Sequence, residues 1–399
     1  MVQEFEKIRP RIVPGARVAV AVGSRGIANL STVVLRIVEQ LSEAGASPFI
    51  IPAMGSHGGA TPEGQTEVLA SYGITEASIG APIHASLEVR EIGVSRDGIP
   101  VFCSVEALEA DGVIVINRVK PHTDFGGSLG SGLLKMCVVG LGKRAGASAM
   151  HAAASRIGHE RAIRGIASVI LRAAPILCGV ALLENQFHAT AKVTLLPLEQ
   201  MESGEDPLLV EAWALMPRLP FEEIDLLIVD RLGKNISGAG MDPNVIGRGV
   251  DGYSSSLLRA CRPAPFIRRL FVRDLTPETH GNAVGLGLAD FTTTRLVRSM
   301  DPRITYLNSL TALALQCAKI PIHFDTDREV LEKALLSLAL PGQEAARIVR
   351  IADTLSLTDI EASEALWTEV GRRSDLTRVG GLGEMRFDCG GNLLPNSLP

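Results

Sequence analysis

A lysine and two histidines lie within one short stretch of the chain, NRVKPHTDFGGSLGSGLLKMCVVGLGKRAGASAMH at residues 117–151. Lys135 stands among apolar residues, which predicts that its side chain is largely buried. A buried lysine has a lowered pKa and a nucleophilic amine, unless it pairs with a carboxylate or extends its ammonium to the surface. The histidines, His122 and His151, can exchange protons near neutral pH or bind a metal ion.

A further histidine, His57, lies in the sequence GSHGG. Its flanking glycines let the backbone approach a ligand closely, and core packing does not explain an imidazole at this position. His151 differs, because it lies in the alanine-rich segment ASAMHAAAS, where a structural histidine on a helix is the alternative to a ligand. His57, His122 and His151 are therefore the candidate histidines of a site.

Strands and helices alternate through the part of the chain that carries these residues. The apolar, β-branched runs that predict strands are ARVAVAV (16–22), SPFIIPA (47–53) and DGVIVIN (111–117). Between them, STVVLRIVEQLSEAG (31–45) has apolar residues at helical spacing, and TPEGQTEVLASYG (61–73) begins with Thr61 as N-cap and Pro62 at its first position. This alternation predicts a parallel sheet with right-handed crossovers.

The predicted sheet places the chemistry-bearing residues. Arg25, His57 and His122 each fall in the first few residues after a strand. Because loops that follow parallel strands gather at the carboxyl edge, we expect all three residues to face one crevice. The glycine-bearing loops do not fit the dinucleotide or P-loop patterns, although helix N-termini after such loops can bind a single phosphate.

The strand pattern begins again after Pro217–Pro220, with IDLLIVDRL at residues 224–232. We therefore predict two α/β domains with largely parallel sheets and an active site in the cleft between them. The first, residues 1–220, should bind the cofactor and carry catalysis. The second, residues 221–399, should close the cleft.

The composition limits the classes of partner. The chain has 46% hydrophobic but only 4% aromatic residues, as expected for buried parallel strands and their covering helices. A net charge of -5, without a dense Lys/Arg run, predicts no nucleic-acid binding. Arg164 and Arg172 interrupt the longest apolar stretch, so we expect no membrane span and a cytoplasmic protein.

The cysteines form no C-x-x-C pair and should be reduced core residues; they are Cys103, Cys137, Cys178, Cys261, Cys317 and Cys389.

The pattern of these residues resembles the nickel-dependent lactate racemase family in residue type, order and approximate spacing. The matching features are Arg25 after the first strand, GSH at 55–57, His122 before a Gly/Ser-rich loop, Lys135 at its end, and His151 beyond it. The resemblance extends over most of the chain and is strongest over residues 16–151. In that family, a pyridinium mononucleotide that holds nickel through a carbon and two sulfurs, the nickel-pincer nucleotide, is tethered to a lysine by a thioamide.

The resemblance implies a role for each residue. Lys135 corresponds to the tether, His151 to the protein ligand of nickel, His57 and His122 to the two acid/base groups, and Arg25 to a cation that orients cofactor or substrate. We assign four further residues to cofactor binding: Gly55, Ser56, Gly126 and Gly127. The family also implies a 2-hydroxy acid substrate and cofactor-biosynthesis proteins as partners.

Three departures from the family pattern concern the substrate more than the cofactor. The loop between His122 and Lys135 is longer, Val22 stands where an acidic residue is usual, and the Gln and Lys that hold the carboxylate of lactate have no clear match. Lys234 or Arg248 could take over that role. We therefore predict a divergent racemase or epimerase that acts on a 2-hydroxy acid other than lactate.

The chemistry of such an inversion agrees with the histidine pair. The α-hydrogen of a 2-hydroxy acid is too weakly acidic for a histidine to remove, so hydride transfer to the cofactor, giving a 2-keto acid, is the easier route. Two histidines can then move the hydroxyl proton from either face.

The sequence leaves two alternatives open. A metal hydrolase could bind zinc or manganese through His57, His122 and His151, with Asp124 as the nearby carboxylate. A non-catalytic carrier of the nickel nucleotide would need Lys135 and His151 but no histidine pair.

Overall fold

The computed structural model describes residues 1–23, 26–55, 57–123, 127–249, 265–312 and 314–395. The chain divides into two compact units, Met1–Met216 and Pro217–Pro399. Each unit contains a mainly parallel sheet with helices, so the predicted α/β class with largely parallel sheets is confirmed. The boundary between the units lies just before the predicted one at residue 220.

The first unit has seven strands among its described residues. They are β1 (Arg17–Val22), β2 (Ser47–Pro52), β3 (Val89–Val94), β4 (Pro100–Ser104), β5 (Gly112–Arg118), β6 (Ile176–Glu184) and β7 (Thr190–Pro197). Its helices are α1 (Val2–Phe5), α2 (Leu30–Glu43), α3 (Pro62–Ser71), α4 (Glu76–Ile79), α5 (Val105–Leu108), α6 (Leu133–Lys135), α7 (Lys143–Ile157), α8 (His159–Ala173) and α9 (Met201–Leu215). A π-helical segment, Met136–Leu141, joins α6 to α7.

The main sheet of this unit has the strand order β2-β1-β5-β6-β7, and only β7 is antiparallel to its neighbour. The chain leaves β1 for β2 on one side and later enters β5 on the other side of β1. Strand order therefore reverses at β1 and β5, and open α/β sheets bind ligands at the carboxyl ends of strands at such a point. Strands β3 and β4 form a separate antiparallel pair.

The central strands are apolar throughout because helices cover both faces of the sheet. Alternate residues enter two different cores. Ala19, Ala21, Val113 and Val115 pack with residues of α7 and α8, whereas Val18, Val20, Ile114 and Ile116 pack with residues of α2. The predicted cap of α3 is confirmed, since the Thr61 hydroxyl accepts a hydrogen bond from the backbone of Gly64 at 3.1 Å.

The second unit repeats this plan around the strand order β11-β10-β9-β8-β12-β13, in which only β13 is antiparallel. Its strands are β8 (Glu223–Leu232), β9 (Phe266–Leu275), β10 (Phe291–Thr293), β11 (Ile322–Phe324), β12 (Ile348–Ile351) and β13 (Glu361–Ala362). Its described helices are α10 (Pro243–Ile246), α11 (Thr294–Ser299), α12 (Pro302–Thr311), α13 (Asp327–Leu336) and α14 (Trp367–Arg372). Two apolar clusters of its own fill this unit.

The cysteines depart in part from expectation. The four buried thiols are Cys103, Cys137, Cys178 and Cys317. Cys389 is exposed, because it lies in a turn near the chain end, so its prediction as a core residue is wrong. Cys261 lies outside the described residues. None of the described helices combines the length and the apolar character needed to cross a bilayer.

Candidate active site

His57 and His122 lie on loops that leave the main sheet at the same edge. His57 follows the end of β2 at Pro52, and His122 follows the end of β5 at Arg118. Gln65, which is buried in α3, supports the first loop by donating from Nε2 to the carbonyl oxygens of Gly55 at 3.1 Å and His57 at 3.4 Å. Strand β1 lies between β2 and β5, so the two loops are separated by one strand.

The loop after β2 also packs against the segment that follows Lys135. Gly55 has a positive φ of 60°, and a β-carbon there would lie 3.1 Å from Val139 Cγ1. A side chain at this position would therefore strain the backbone and press on the π-helical segment. Gly55 thus brings the His57 loop close to the Lys135 region.

The amine of Lys135 meets the imidazole of His122, with Nζ 2.5 Å from Nε2. Both side chains are half-buried, so Lys135 is less buried than its apolar neighbours predicted. Burial, followed by the charge of Lys135, holds the pKa of His122 well below its usual value of 6.5. His122 is therefore a neutral imidazole beside a lysine amine.

Two more imidazoles adjoin this pair. The ring of His159, at the start of α8, lies 6.4 Å from the ring of His122 in a stacked orientation. The same ring lies 6.4 Å from the ring of His151, which it meets edge-on. His151 is exposed on α7. The structure thus gathers His122, Lys135, His151 and His159 in one cluster, of which sequence reasoning missed His159.

The sequence contains a weak signal for His159. It follows Gly158, whose φ of 84° ends α7 and turns the chain into α8. A histidine after a helix-breaking glycine lies at a helix start, where backbone N–H groups favour anionic ligands. Its closeness to His122 comes only from the packing of α8.

A buried carboxylate holds the turn that carries Lys135. Glu205 of α9 accepts a hydrogen bond at Oε2 from the backbone N–H of Leu134 at 2.9 Å. Burial raises the pKa of Glu205 to about 7, and its Oε1 has no hydrogen-bond partner among the described residues. A β-carbon at Gly132 would press on this carboxylate, which would have to shift to make room.

A second carboxylate fixes the glycine-rich loop between His122 and Lys135. Glu160 accepts from the hydroxyl of Ser128 at 2.5 Å, and Arg164 donates to Glu160 at 3.1 Å and to Asp206 at 2.7 Å. The hydrogen bond from Ser128, together with Arg164, lowers the pKa of Glu160. Gly127, with a φ of 130°, leaves no room for a β-carbon beside Glu160.

A second lysine, Lys143, was also missed by sequence reasoning. It begins α7 with a φ of 51°, is almost fully buried, and donates from Nζ to the carbonyl oxygen of Pro52. Burial lowers the pKa of Lys143 to about 8. The hydrogen bond ties the helix of His151 to the end of β2, from which the His57 loop departs.

The remaining predicted residues fall in two groups. Arg25, Ser56, Gly126 and Asp124 lie outside the described residues. Lys234 and Arg248 belong to the second unit, where Lys234 donates to the carbonyl oxygen of Gly238. Arg248 is buried and donates to Asp290 at 2.6 Å and to the carbonyl oxygen of Leu288 at 2.7 Å. Their role in holding a carboxylate stays a prediction.

Within the described ranges, no group of three or more His, Cys, Asp and Glu side chains is arranged to hold a metal ion. The carboxylate of the metal-hydrolase alternative, Asp124, lies outside these ranges, so that alternative stays a prediction. The cluster instead offers imidazoles and one amine, and imidazole nitrogen is a good ligand for nickel.

Comparison with known proteins gives a consistent result. Residues 6–163 match the family model of the lactate racemase N-terminal domain. The chain is similar in structure to the lactate racemase apoprotein from Thermoanaerobacterium thermosaccharolyticum, with a TM-score of 0.53, 15% identity, and coverage of 88% of this chain and 92% of that one. A structural-genomics protein from Thermotoga maritima gives a TM-score of 0.49 at 14% identity, over 85% and 89% of the two chains. No curated protein matches the sequence. The family match confirms the resemblance predicted from the sequence.

Proposed function

Proceeding from a first unit that is similar to the lactate racemase N-terminal domain, we propose that this protein is a racemase or epimerase that inverts C2 of a small 2-hydroxy acid. The observation that carries this proposal is the cluster of His122, Lys135, His151 and His159 at the carboxyl edge of the sheet. It joins a lysine side chain, an imidazole with a lowered pKa and an exposed imidazole on the segment that the family model covers.

The residues of the cluster fit a nickel-pincer nucleotide. Lys135 would hold the group through its amine, and His151 would donate an imidazole nitrogen to nickel. A cofactor that brings a carbon and two sulfur donors would need only one ligand from the protein, and His151 would supply it. Gly55 and Gly127 would let the backbone approach the nucleotide, and Ser56, Gly126 and Arg25 are further proposed contacts. When bound, the group supplies an electrophile that can accept hydride from C2.

His57 and His122 would move the hydroxyl proton. The pKa of His122 is lowered by burial and by the charge of Lys135, so the imidazole is ready to accept a proton at neutral pH. Attachment of Lys135 through a thioamide would remove its charge and with it one cause of the lowered pKa. His57, on the other loop, would serve the opposite face of the 2-keto acid. Either histidine can then act as base in one direction and as acid in the other.

The substrate would be longer or more polar than lactate. Positively charged side chains would bind its carboxylate, and a guanidinium binds a carboxylate through two hydrogen bonds. Arg25, Lys234 and Arg248 are the proposed cations. Of these, Arg248 already pairs with Asp290.

The test is to co-express the protein with cofactor-biosynthesis proteins and to measure nickel, intact mass and inversion together. The substrates to screen are lactate, malate, 2-hydroxyglutarate, phenyllactate and aldonic acids. We expect a covalent adduct that Lys135→Ala abolishes and a nickel content that His151→Ala lowers. If the nickel-loaded protein inverts none of these acids, the proposed enzymatic activity is contradicted and a non-catalytic carrier is favoured. If the protein is active without nickel, the proposed cofactor is contradicted.

A second measurement separates chemistry from binding. His57→Gln should slow inversion by roughly 10²- to 10⁴-fold at unchanged nickel and adduct content, the usual effect of removing a positioned proton-transfer group. The matched control is His188→Asn, on the turn after β6, which should leave inversion unchanged. Asparagine suits this position because His188 has a φ of 56°. Normal inversion by His57→Gln would remove His57 from the mechanism.

A further inference from the structure

The contact between Lys135 and His122 has the geometry of a nucleophile and its general base. The two nitrogens lie 2.5 Å apart, close enough for a proton to pass directly between them. A lysine ammonium can only donate a hydrogen bond, so Nε2 of His122 must be the acceptor when Lys135 is protonated. A neutral imidazole has a lone pair at Nε2 for this purpose, and burial keeps His122 neutral.

Both members of the pair are held by contacts that do not involve either side chain. Lys120, two residues before His122, exchanges two backbone hydrogen bonds of 2.8 Å with Ser131. Asn117 donates from Nδ2 to the carbonyl oxygen of Gly132 at 2.8 Å, and Glu205 accepts from Leu134. These bonds close the loop from 120 to 131 and fix the turn that presents Lys135. The pair is therefore preorganised rather than a chance meeting of two flexible side chains.

We propose that His122 is the general base that activates the Lys135 amine for acyl transfer, so that the protein catalyses the attachment of its own cofactor. The proposal rests on the proposed function only for the identity of the acyl group. The lysine nitrogen attacks the carboxyl carbon, a C–N bond forms, and the ammonium proton passes to His122 Nε2. With a thiocarboxylic acid the C–O bond then breaks, water leaves with the proton returned by His122, and a thioamide remains.

The chemistry can be tested on the protein without cofactor, using p-nitrophenyl acetate as the probe. In this reaction, acetyl transfer to Lys135 forms an amide, and the bond to p-nitrophenolate breaks. After hydroxylamine removes acetyl groups from histidine and tyrosine, peptide mass spectrometry gives the acetylation rate of each lysine. Lys192 is the internal reference, because its side chain is 43% exposed and pairs with Glu211 on the surface.

In the wild-type protein at neutral pH, we expect Lys135 to be acetylated at least roughly a hundred times faster than Lys192, at the low end of the range for general-base assistance. His122→Gln should remove this advantage while the Lys192 rate stays unchanged, because glutamine keeps a hydrogen-bond acceptor but cannot take up a proton at neutral pH. His188→Asn should leave both rates unchanged.

Two results would overturn the inference. One is a wild-type Lys135 that reacts no faster than Lys192, a comparison that needs no variant and so does not depend on folding of the mutant. The other is a Lys135 rate that His122→Gln leaves unaltered. A His122-dependent rate in a protein that inverts no 2-hydroxy acid after loading would sustain this inference and reject the proposed function. Inversion of a 2-hydroxy acid by a protein whose Lys135 is acetylated no faster than Lys192 would reject this inference and sustain the proposed function.

Discussion

At the scale of single residues, Glu205 has the most unusual environment around the site. Its carboxylate is buried, accepts the N–H of Leu134 at 2.9 Å, and has one oxygen without a hydrogen-bond partner among the described residues. Burial is the main cause of its raised pKa, and the hydrogen bonds from Leu134 and Leu133 oppose it only in part. The residue therefore links the position of Lys135 to the protonation of a carboxyl group.

This environment predicts a dependence of stability on pH. The pKa of Glu205 is about 7 in the folded chain against 4.5 for an exposed glutamate. As pH rises between these values, the unfolded chain loses its proton first, so the free energy of unfolding falls. Relative to Glu205→Gln, which does not titrate, the wild type should lose on the order of 3 kcal/mol across this window.

Urea unfolding of both proteins across that pH range measures the difference. Glu202→Gln is the matched control, since Glu202 is on the same helix and its side chain is 56% exposed. A difference between wild type and Glu205→Gln that does not change with pH would show that the carboxyl group is not buried as described.

At the scale of elements, glycines decide how closely the loop before α6 can pack. A β-carbon at Gly130 would collide with the backbone carbonyl of Lys120, which already bonds to Ser131 at 2.8 Å. A carbonyl fixed in this way cannot move aside as a flexible side chain can. In contrast, Gly165 lies inside α8, and a β-carbon there would meet Asp97 Oδ2 at an ordinary 3.7 Å.

We therefore predict opposite effects for two identical changes. Gly130→Ala should destabilise the protein by roughly 1–3 kcal/mol through overpacking and should slow acetylation of Lys135. Gly165→Ala should stabilise it by about 0.5–1 kcal/mol, because alanine restricts the unfolded chain and favours the helix. Urea unfolding measures the stability of the two variants, and the acetylation assay measures the rate at Lys135 in each. Equal stability of the two variants would contradict the described packing of the loop.

At the scale of the whole molecule, each unit has its own cores and its own polar contacts. In the second unit, Asp327 is fully buried and accepts hydrogen bonds from Arg273 at 2.6 and 2.8 Å, from Arg295 at 2.9 Å and from the backbone of Leu393 at 2.8 Å. This cluster connects β9, α11, α13 and the C-terminal segment. Removing one member of such a buried set leaves the other charges uncompensated.

Asp327→Ala should accordingly destabilise the second unit by roughly 3–5 kcal/mol. Hydrogen exchange should show lost protection within residues 217–395, while the Lys135 acetylation rate in the first unit stays close to wild type. Asp375→Ala, which removes an exposed pair with Arg373, should change exchange little. Loss of protection throughout both units would show that they unfold together.

The sequence by itself determined the type and order of the main elements. Periodicity of apolar residues predicted β1, β2, β5 and the helices α2 and α3, because burial on both faces of a parallel sheet demands continuous apolar strands. It did not predict the antiparallel pair of β3 and β4. The order of strands and loops also predicted that the loops of His57 and His122 leave one edge of the sheet, as they do. The identities, order and spacing of Arg25, His57, His122, Lys135 and His151 led to the family resemblance.

Only the tertiary structure decided which other groups surround Lys135. Glu205 is 71 residues from Leu134 in the chain, and Lys143 is 91 residues from Pro52. His159 approaches His122 and His151 because α8 folds back beside α7 after Gly158. No local pattern encodes such contacts, since they depend on how helices distant in sequence pack on one face of the sheet. The same packing sets the burial that shifts the pKa values of His122, Lys143 and Glu205.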